Sequence, residues 1–111
     1  MYSVDITEHA DEDLDNIIKY LRDELASPGA ASDFVDKVYE CYDRLEENPY
    51  IYSECYDGYL KSERYRRAVI KNYVLLYKVD ENLKQVIVYR FFHGMQDYAN
   101  LISITSLFTL V

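Results

Sequence analysis

Five of the twelve basic side chains fall inside one eleven-residue window: Lys61, Arg64, Arg66, Arg67 and Lys71. A second polar group follows at Arg90, His93, Gln96, Asp97 and Tyr98. Arginine grips phosphate or carboxylate through a planar fork of donors. Histidine can move a proton near neutral pH, a role typically worth about 10²–10⁴ in rate. One reading is therefore an anion- or RNA-binding cleft with His93 as a candidate proton-transfer group. A plainer reading competes with it: charge on a strand edge keeps that edge from pairing with other chains. The thirteen tyrosines divide in the same way. A ring can stack on an unpaired base, but most tyrosines line the edge of a core with the hydroxyl in water. Tyr65 and Tyr98 flank the basic groups and are the two to test for stacking.

Other chemistries fit less well. With three glycines in the chain, no glycine-rich phosphate loop can form. His9 and His93 are far apart, and Cys41 and Cys55 do not make a C-x-x-C pair, so neither a metal site nor a cofactor is expected. A Cys–His nucleophile pair between either thiol and His93 is a weaker alternative. Cys41 lies on an apolar helical stripe, where a cysteine is usually just buried.

These groups need a scaffold, and the hydrophobic pattern supplies one. Residues 2–6 alternate as a short strand. Thr7 then caps a helix over about residues 8–26, with Ala10, Leu14, Ile17, Ile18, Leu21 and Leu25 on one face. Ser27 and Pro28 start a second helix, with Ala31, Phe34, Val35, Val38, Cys41, Tyr42 and Leu45 as its stripe. Asn48-Pro49 ends it, because the residue before proline avoids the α region. The short connection implies an antiparallel helical hairpin. Residues 50–60 read as a loop with a turn at Asp57-Gly58. From residue 64 the period changes to that of three strands in an antiparallel meander, whose buried face can rest on the hairpin. The expected fold class is thus α+β: strand, two helices, three strands. In such a meander the two polar groups can share one face at one end of the domain.

The chain has 111 residues and a formal net charge of −8. That length suits one domain. Residues 1–101 read as that domain, and residues 102–111 as an uncharged apolar tail. No apolar run reaches the roughly 18 residues that cross a bilayer. The acidic N-terminal segment does not resemble a secretory signal, so a cytoplasmic protein with reduced thiols is expected. The charge is uneven: residues 1–57 carry −12 and residues 58–111 carry +4. This disfavours non-specific coating of nucleic acid but leaves one basic working face.

The order of motifs resembles the RelE/ParE superfamily of toxins from bacterial toxin–antitoxin pairs. The likeness spans about residues 2–101. It rests on A-x-x-D-L-x-x-I-x-x-Y-L at Ala10–Leu21, Ser27-Pro28 with Ala31 and Phe34, Leu45 with Asn48-Pro49, and Tyr65-Arg66. It continues through Asn72-Tyr73, Tyr77-x-Val79-Asp80-Glu81 and Val88-x-Arg90-x-x-His93-Gly94-x-x-Asp97-Tyr98. The resemblance implies a compact β-α-α-β-β-β domain of the plasmid-stabilisation type, wrapped and neutralised by a cognate antitoxin. It also implies one of two targets. ParE-like members bind and poison DNA gyrase without catalysis. RelE-like members cut ribosome-bound mRNA, and here Arg66, Arg67 and Arg90 would grip phosphates while His93 or Tyr98 handled protons. Val74 and Met95 stand where such nucleases often carry a base, and the His-Gly-x-x-Asp-Tyr ending looks more ParE-like. The expected binding residues are Lys61, Arg64, Tyr65, Arg66, Arg67, Lys71, Gln96 and Asp97, and Arg67, Arg90, His93 and Tyr98 would be catalytic only in a RelE-like member. The tail has no counterpart in the pattern, which leaves open an inactive relative that serves only as an interaction module.

Overall fold

The computed structural model describes residues 1–96 and 101. The chain runs through strand β1 (Ser3–Ile6), helix α1 (Glu8–Lys19), a π-helical turn (Tyr20–Glu24), and helix α2 (Pro28–Glu47). A short helix α3 (Gly58–Ser62) and strands β2 (Arg66–Ile70), β3 (Tyr73–Asp80) and β4 (Gln85–His93) follow. The sheet order is β1-β4-β3-β2. The last three strands form the expected antiparallel meander. β1 adds to it in parallel, pairing Ser3–Ile6 with Gln85–Val88.

Caps fix both long helices. The Thr7 side chain accepts a hydrogen bond from the Ala10 N–H at 3.1 Å, and Ser27 does the same for Ala30 at 3.3 Å. Pro28 opens α2, and Asn48, in an extended conformation, closes it. The first helix departs from the expected span. Its α-helical part stops at Lys19, and a wider π turn follows in which the Leu25 N–H reaches the Tyr20 carbonyl at 3.1 Å. Ala26 then takes a left-handed φ of 48° to reverse the chain. The wider turn shifts the phase of the stripe, so Leu25 is exposed rather than packed.

The core lies between the helices and one sheet face. Phe34, Val38 and Leu45 of α2 pack with Ala10 and Ile17 of α1 against Ala68, Ile70, Leu75, Tyr77, Val86, Val88 and Phe91. The other face carries a smaller cluster of Val74, Leu76 and Phe92, covered by Cys55, Leu60 and Tyr65. This second cluster explains the short helix that the sequence pattern hid. Asp57-Gly58, read as a turn within a loop, is instead a helix start: the Asp57 carboxylate caps the Tyr59 N–H at 3.0 Å. The segment thereby folds Leu60 over the far side of the sheet.

One irregularity governs the site. Leu76 pairs with Arg90, but Tyr77 pairs with Val88, so Tyr89 is an extra residue in β4. Such a bulge re-aims the side chains around it. Val86 and Val88 face the helices, and the same face resumes out of phase at Phe91.

Candidate functional site

The strand register divides the first polar group and sends Arg66 and Arg67 to different faces. Consecutive strand residues point to opposite faces. Arg66 pairs with Tyr77, on the helix-facing side; Arg67 pairs with Leu76, on the far side. Arg66 donates to the Tyr52 carbonyl at 2.7 Å, reaches Glu54 at 3.4 Å and lies over the Tyr50 ring at 4.9 Å. Arg67 makes no side-chain hydrogen bond or ion pair among the described residues. It lies between two shallow hollows, one lined by Ile51, Tyr52, Ser53 and Tyr56 and the other by Lys71, Tyr73, His93 and Met95.

Arg90 is claimed by the scaffold. β1 leaves the outer edge of β4 beyond Val88, and α1 takes its place there. The Thr7 hydroxyl donates to the Tyr89 carbonyl at 2.9 Å. One Asp13 carboxylate oxygen then accepts from the Phe91 N–H at 3.0 Å and from Arg90 Nε at 2.7 Å, while the other accepts from Arg90 Nη2 at 3.1 Å. Both side chains of this pair are largely buried, at 18% and 16% exposure. The Arg90 guanidinium also lies 4.7 Å from the centre of the Phe92 ring. The register puts Arg67 and Arg90 on the same far face, one on each side of Leu76, but the Arg90 guanidinium is engaged by Asp13 at the outer edge of β4.

His93 ends β4 beside Tyr73, with the rings edge to face at 5.4 Å. Its Nδ1 accepts from the Met95 N–H at 3.1 Å, and its own N–H donates to the Gln96 side chain at 2.7 Å. That assigns the proton of the neutral ring to Nε2. The Gly94 N–H donates to the Asn72 carbonyl at 2.8 Å, and a Cβ at Gly94 would come within 3.3 Å of that oxygen. A glycine here lets the strand end lie close on the β2–β3 turn.

The remaining expected residues spread out. Lys71, in the β2–β3 turn with φ 56°, pairs with Asp33 of α2 at 3.1 Å. Lys61 is exposed on α3, and Arg64 lines a third hollow at the opposite end of the sheet. Tyr65 is not available for stacking on a base. It is 2% exposed, packed edge to face on Tyr89 at 5.4 Å, with Lys78 over its ring. Asp97, Tyr98 and the apolar tail 102–111 lie outside the described residues. Of the predicted set, then, Arg67, Lys71 and His93 come together. Sequence reasoning missed the apolar rim of this surface: Ile51, Tyr56, Val69 and Met95 are all more than half exposed. Exposed apolar side chains around one cation suit binding of a protein.

The thiols are buried on their respective core faces, and burial pushes both above the ordinary thiol range, Cys55 to about 11. Neither is a ready nucleophile. Among the described residues, no group of His, Cys, Asp or Glu is placed to hold a metal ion, and no helix is long and apolar enough to cross a membrane.

The same fold recurs in solved toxin–antitoxin structures. The chromosomal ParDE system from P. aeruginosa superposes with a TM-score of 0.64 at 20% identity, over 84% of this chain and 96% of that one. The RelBE2 toxin–antitoxin complex from Mycobacterium tuberculosis gives 0.60 at 22% identity, over 83% and 90%. The archaeal RelE–RelB complex from Pyrococcus horikoshii OT3 gives 0.56 at 19%, over 86% and 97%. A search of curated proteins finds no match. The family model for the ParE toxin of type II toxin–antitoxin systems, parDE, matches residues 4–98. The chain belongs to this family of toxins, within the RelE/ParE superfamily.

Proposed function

We propose that this toxin works by binding a protein, DNA gyrase, and that a cognate antitoxin neutralises it by covering the same surface. The observation that carries the reading is the fate of the arginines. A nuclease needs its cations converged on one phosphate. Here Arg90 is anchored on Asp13, and Arg66 and Arg67 point to opposite faces. The surface around Arg67 instead combines one unpaired cation with exposed Ile51, Tyr56, Val69 and Met95.

An antitoxin segment that carries acidic and apolar residues would complement that surface, and the solved relatives named above include toxin–antitoxin complexes. Arg67 should govern this contact more than Arg66, which already has a carboxylate and a carbonyl partner. On this reading the toxin would act in the cytoplasm. Residues 1–101 would form the working toxin unit, with 102–111 an appendage to it.

The test is a supercoiling assay with purified chain and gyrase. Inhibition that Arg67→Glu relieves supports the reading. Unchanged gyrase activity at large molar excess refutes it. A RelE-like ribonuclease keeps one observation in its favour, since Arg67, Lys71 and His93 share a hollow. Cleavage of ribosome-bound mRNA, lost on His93→Ala, would establish that alternative.

A further inference from the structure

The hollow at the other end of the sheet, beside the β3–β4 turn, encloses about 630 Å³. It is separate from the hollows beside Arg67. Its charged lining is balanced, with Arg64, Arg66 and Lys78 facing Glu54, Asp80 and Glu81. The balance conceals an asymmetry in how these groups are engaged. Glu54 holds Arg66. Asp80 accepts from the Leu83 N–H. Glu81 accepts from Lys84 and from the hydroxyls of Tyr50 and Tyr2. All three carboxylates thus have partners within the fold. Arg64 and Lys78 have no hydrogen-bonded or ion-paired anion among the described residues.

Lys78 is held at its ammonium group and Arg64 at its backbone. Lys78 Nζ lies over two rings, Tyr65 at 4.4 Å and Tyr89 at 5.5 Å. That fixes a side chain whose freedom would otherwise be lost on binding. Arg64 follows α3 at φ 63°. Its N–H bonds the Lys61 carbonyl at 3.0 Å, and the Tyr65 N–H bonds the Leu60 carbonyl at 2.8 Å. This is the Schellman helix ending, and the position Arg64 holds in it ordinarily belongs to glycine. An arginine there accepts an unfavourable backbone and presents its guanidinium at the hollow.

We propose that this hollow binds a single carboxylate side chain between Arg64 and Lys78, with an adjacent apolar or aromatic side chain lying on Tyr89 and Ile87. A protein partner would present such a pair on an acidic segment. A phosphate chain is disfavoured, because Glu54, Asp80 and Glu81 ring the site and repel a multiply charged anion. The site does not depend on gyrase being the target.

An NMR titration of the ¹⁵N-labelled full chain tests it, with N-acetyl-Asp-Phe-amide as the probe. Saturable shifts are expected at the amides of Arg64, Lys78 and Tyr89. The Asn-Phe counterpart should bind about tenfold more weakly, the loss expected for a hydrogen bond to a charged group. Lys78→Gln should weaken the Asp-Phe probe by about tenfold as well. Arg64→Gly should do the same while folding at least as well as wild type, because glycine suits that backbone. No saturable shift, equal binding of the Asn probe, or binding unaffected by both substitutions would overturn the proposal. So would tighter binding of inorganic pyrophosphate, which would make the hollow a polyanion site.

Discussion

Replacing Arg90 with methionine should cost stability before it costs anything else. The substitution keeps most of the side-chain volume but removes two donors from Asp13, at 2.7 and 3.1 Å. It leaves a carboxylate that is only 16% exposed with the Phe91 N–H as its remaining partner among the bonds described above. Breaking a fully buried pair from one side costs about 3–5 kcal/mol. Partial exposure and the surviving Phe91 bond reduce this to about 2–3 kcal/mol. For a domain of this size that is a fall in Tm of roughly 8–15 °C. Asp13→Asn should cost less, about 1–2 kcal/mol, because the amide oxygen can still accept from Phe91. The double variant should cost less than the sum, with a coupling of about 1–3 kcal/mol in a double-mutant cycle. Calorimetry on the four proteins measures all of these. At a temperature where Arg90→Met is folded, target inhibition should persist. A loss under about 0.5 kcal/mol, the range of an ordinary surface change, with inhibition abolished, would refute the structural role of Arg90.

Further expectations follow from the same contacts. Tyr77→Phe removes a buried hydroxyl that donates to the Pro49 carbonyl at 2.6 Å, and denaturant unfolding should show a loss of about 1–2 kcal/mol. Thr7→Ala removes both the α1 cap and the bond to the Tyr89 carbonyl, so its loss should lie near the upper end of about 0.5–2 kcal/mol in the same assay. Hydrogen bonds from Lys84, Tyr50 and Tyr2 hold the Glu81 carboxyl down at about 2, below its ordinary 4.5. That stabilisation is complete above about pH 4.5 and fades as pH falls towards 2, and Glu81→Gln should flatten the pH dependence of Tm across that window. Cys41 and Cys55 should resist thiol reagents in the native chain at neutral pH and react once it is unfolded.

The pattern of apolar residues was enough to read the β-α-α-β-β-β order, both caps and the helical hairpin, because period, Pro28 and Asn48-Pro49 are local signals. Local signals could not show that β1 joins β4, since that pairing spans some eighty residues, from Ser3 to Gln85. α3 escaped notice for a similar reason. Its five residues bury Leu60 against a far-face cluster that exists only once the sheet has formed. The site was half legible. Arg67, Lys71 and His93 line one hollow. Arg66 was separated by strand alternation, which the pairing register makes explicit. Arg90 is engaged by Asp13, 77 residues away in sequence, and the one-residue bulge that sets its face leaves no mark in the composition of VYRFFH. Asp13, its partner, stood in the A-x-x-D-L motif, but nothing local tied it to Arg90.

A side-by-side measurement of DNA supercoiling and of ribosome-bound mRNA integrity, with purified wild type and Arg67→Glu, bears most directly on how the toxin acts. A protein-binding ParE toxin predicts dose-dependent loss of supercoiling by wild type, relief by Arg67→Glu, and intact mRNA throughout. Cleaved mRNA with unaffected gyrase would contradict it.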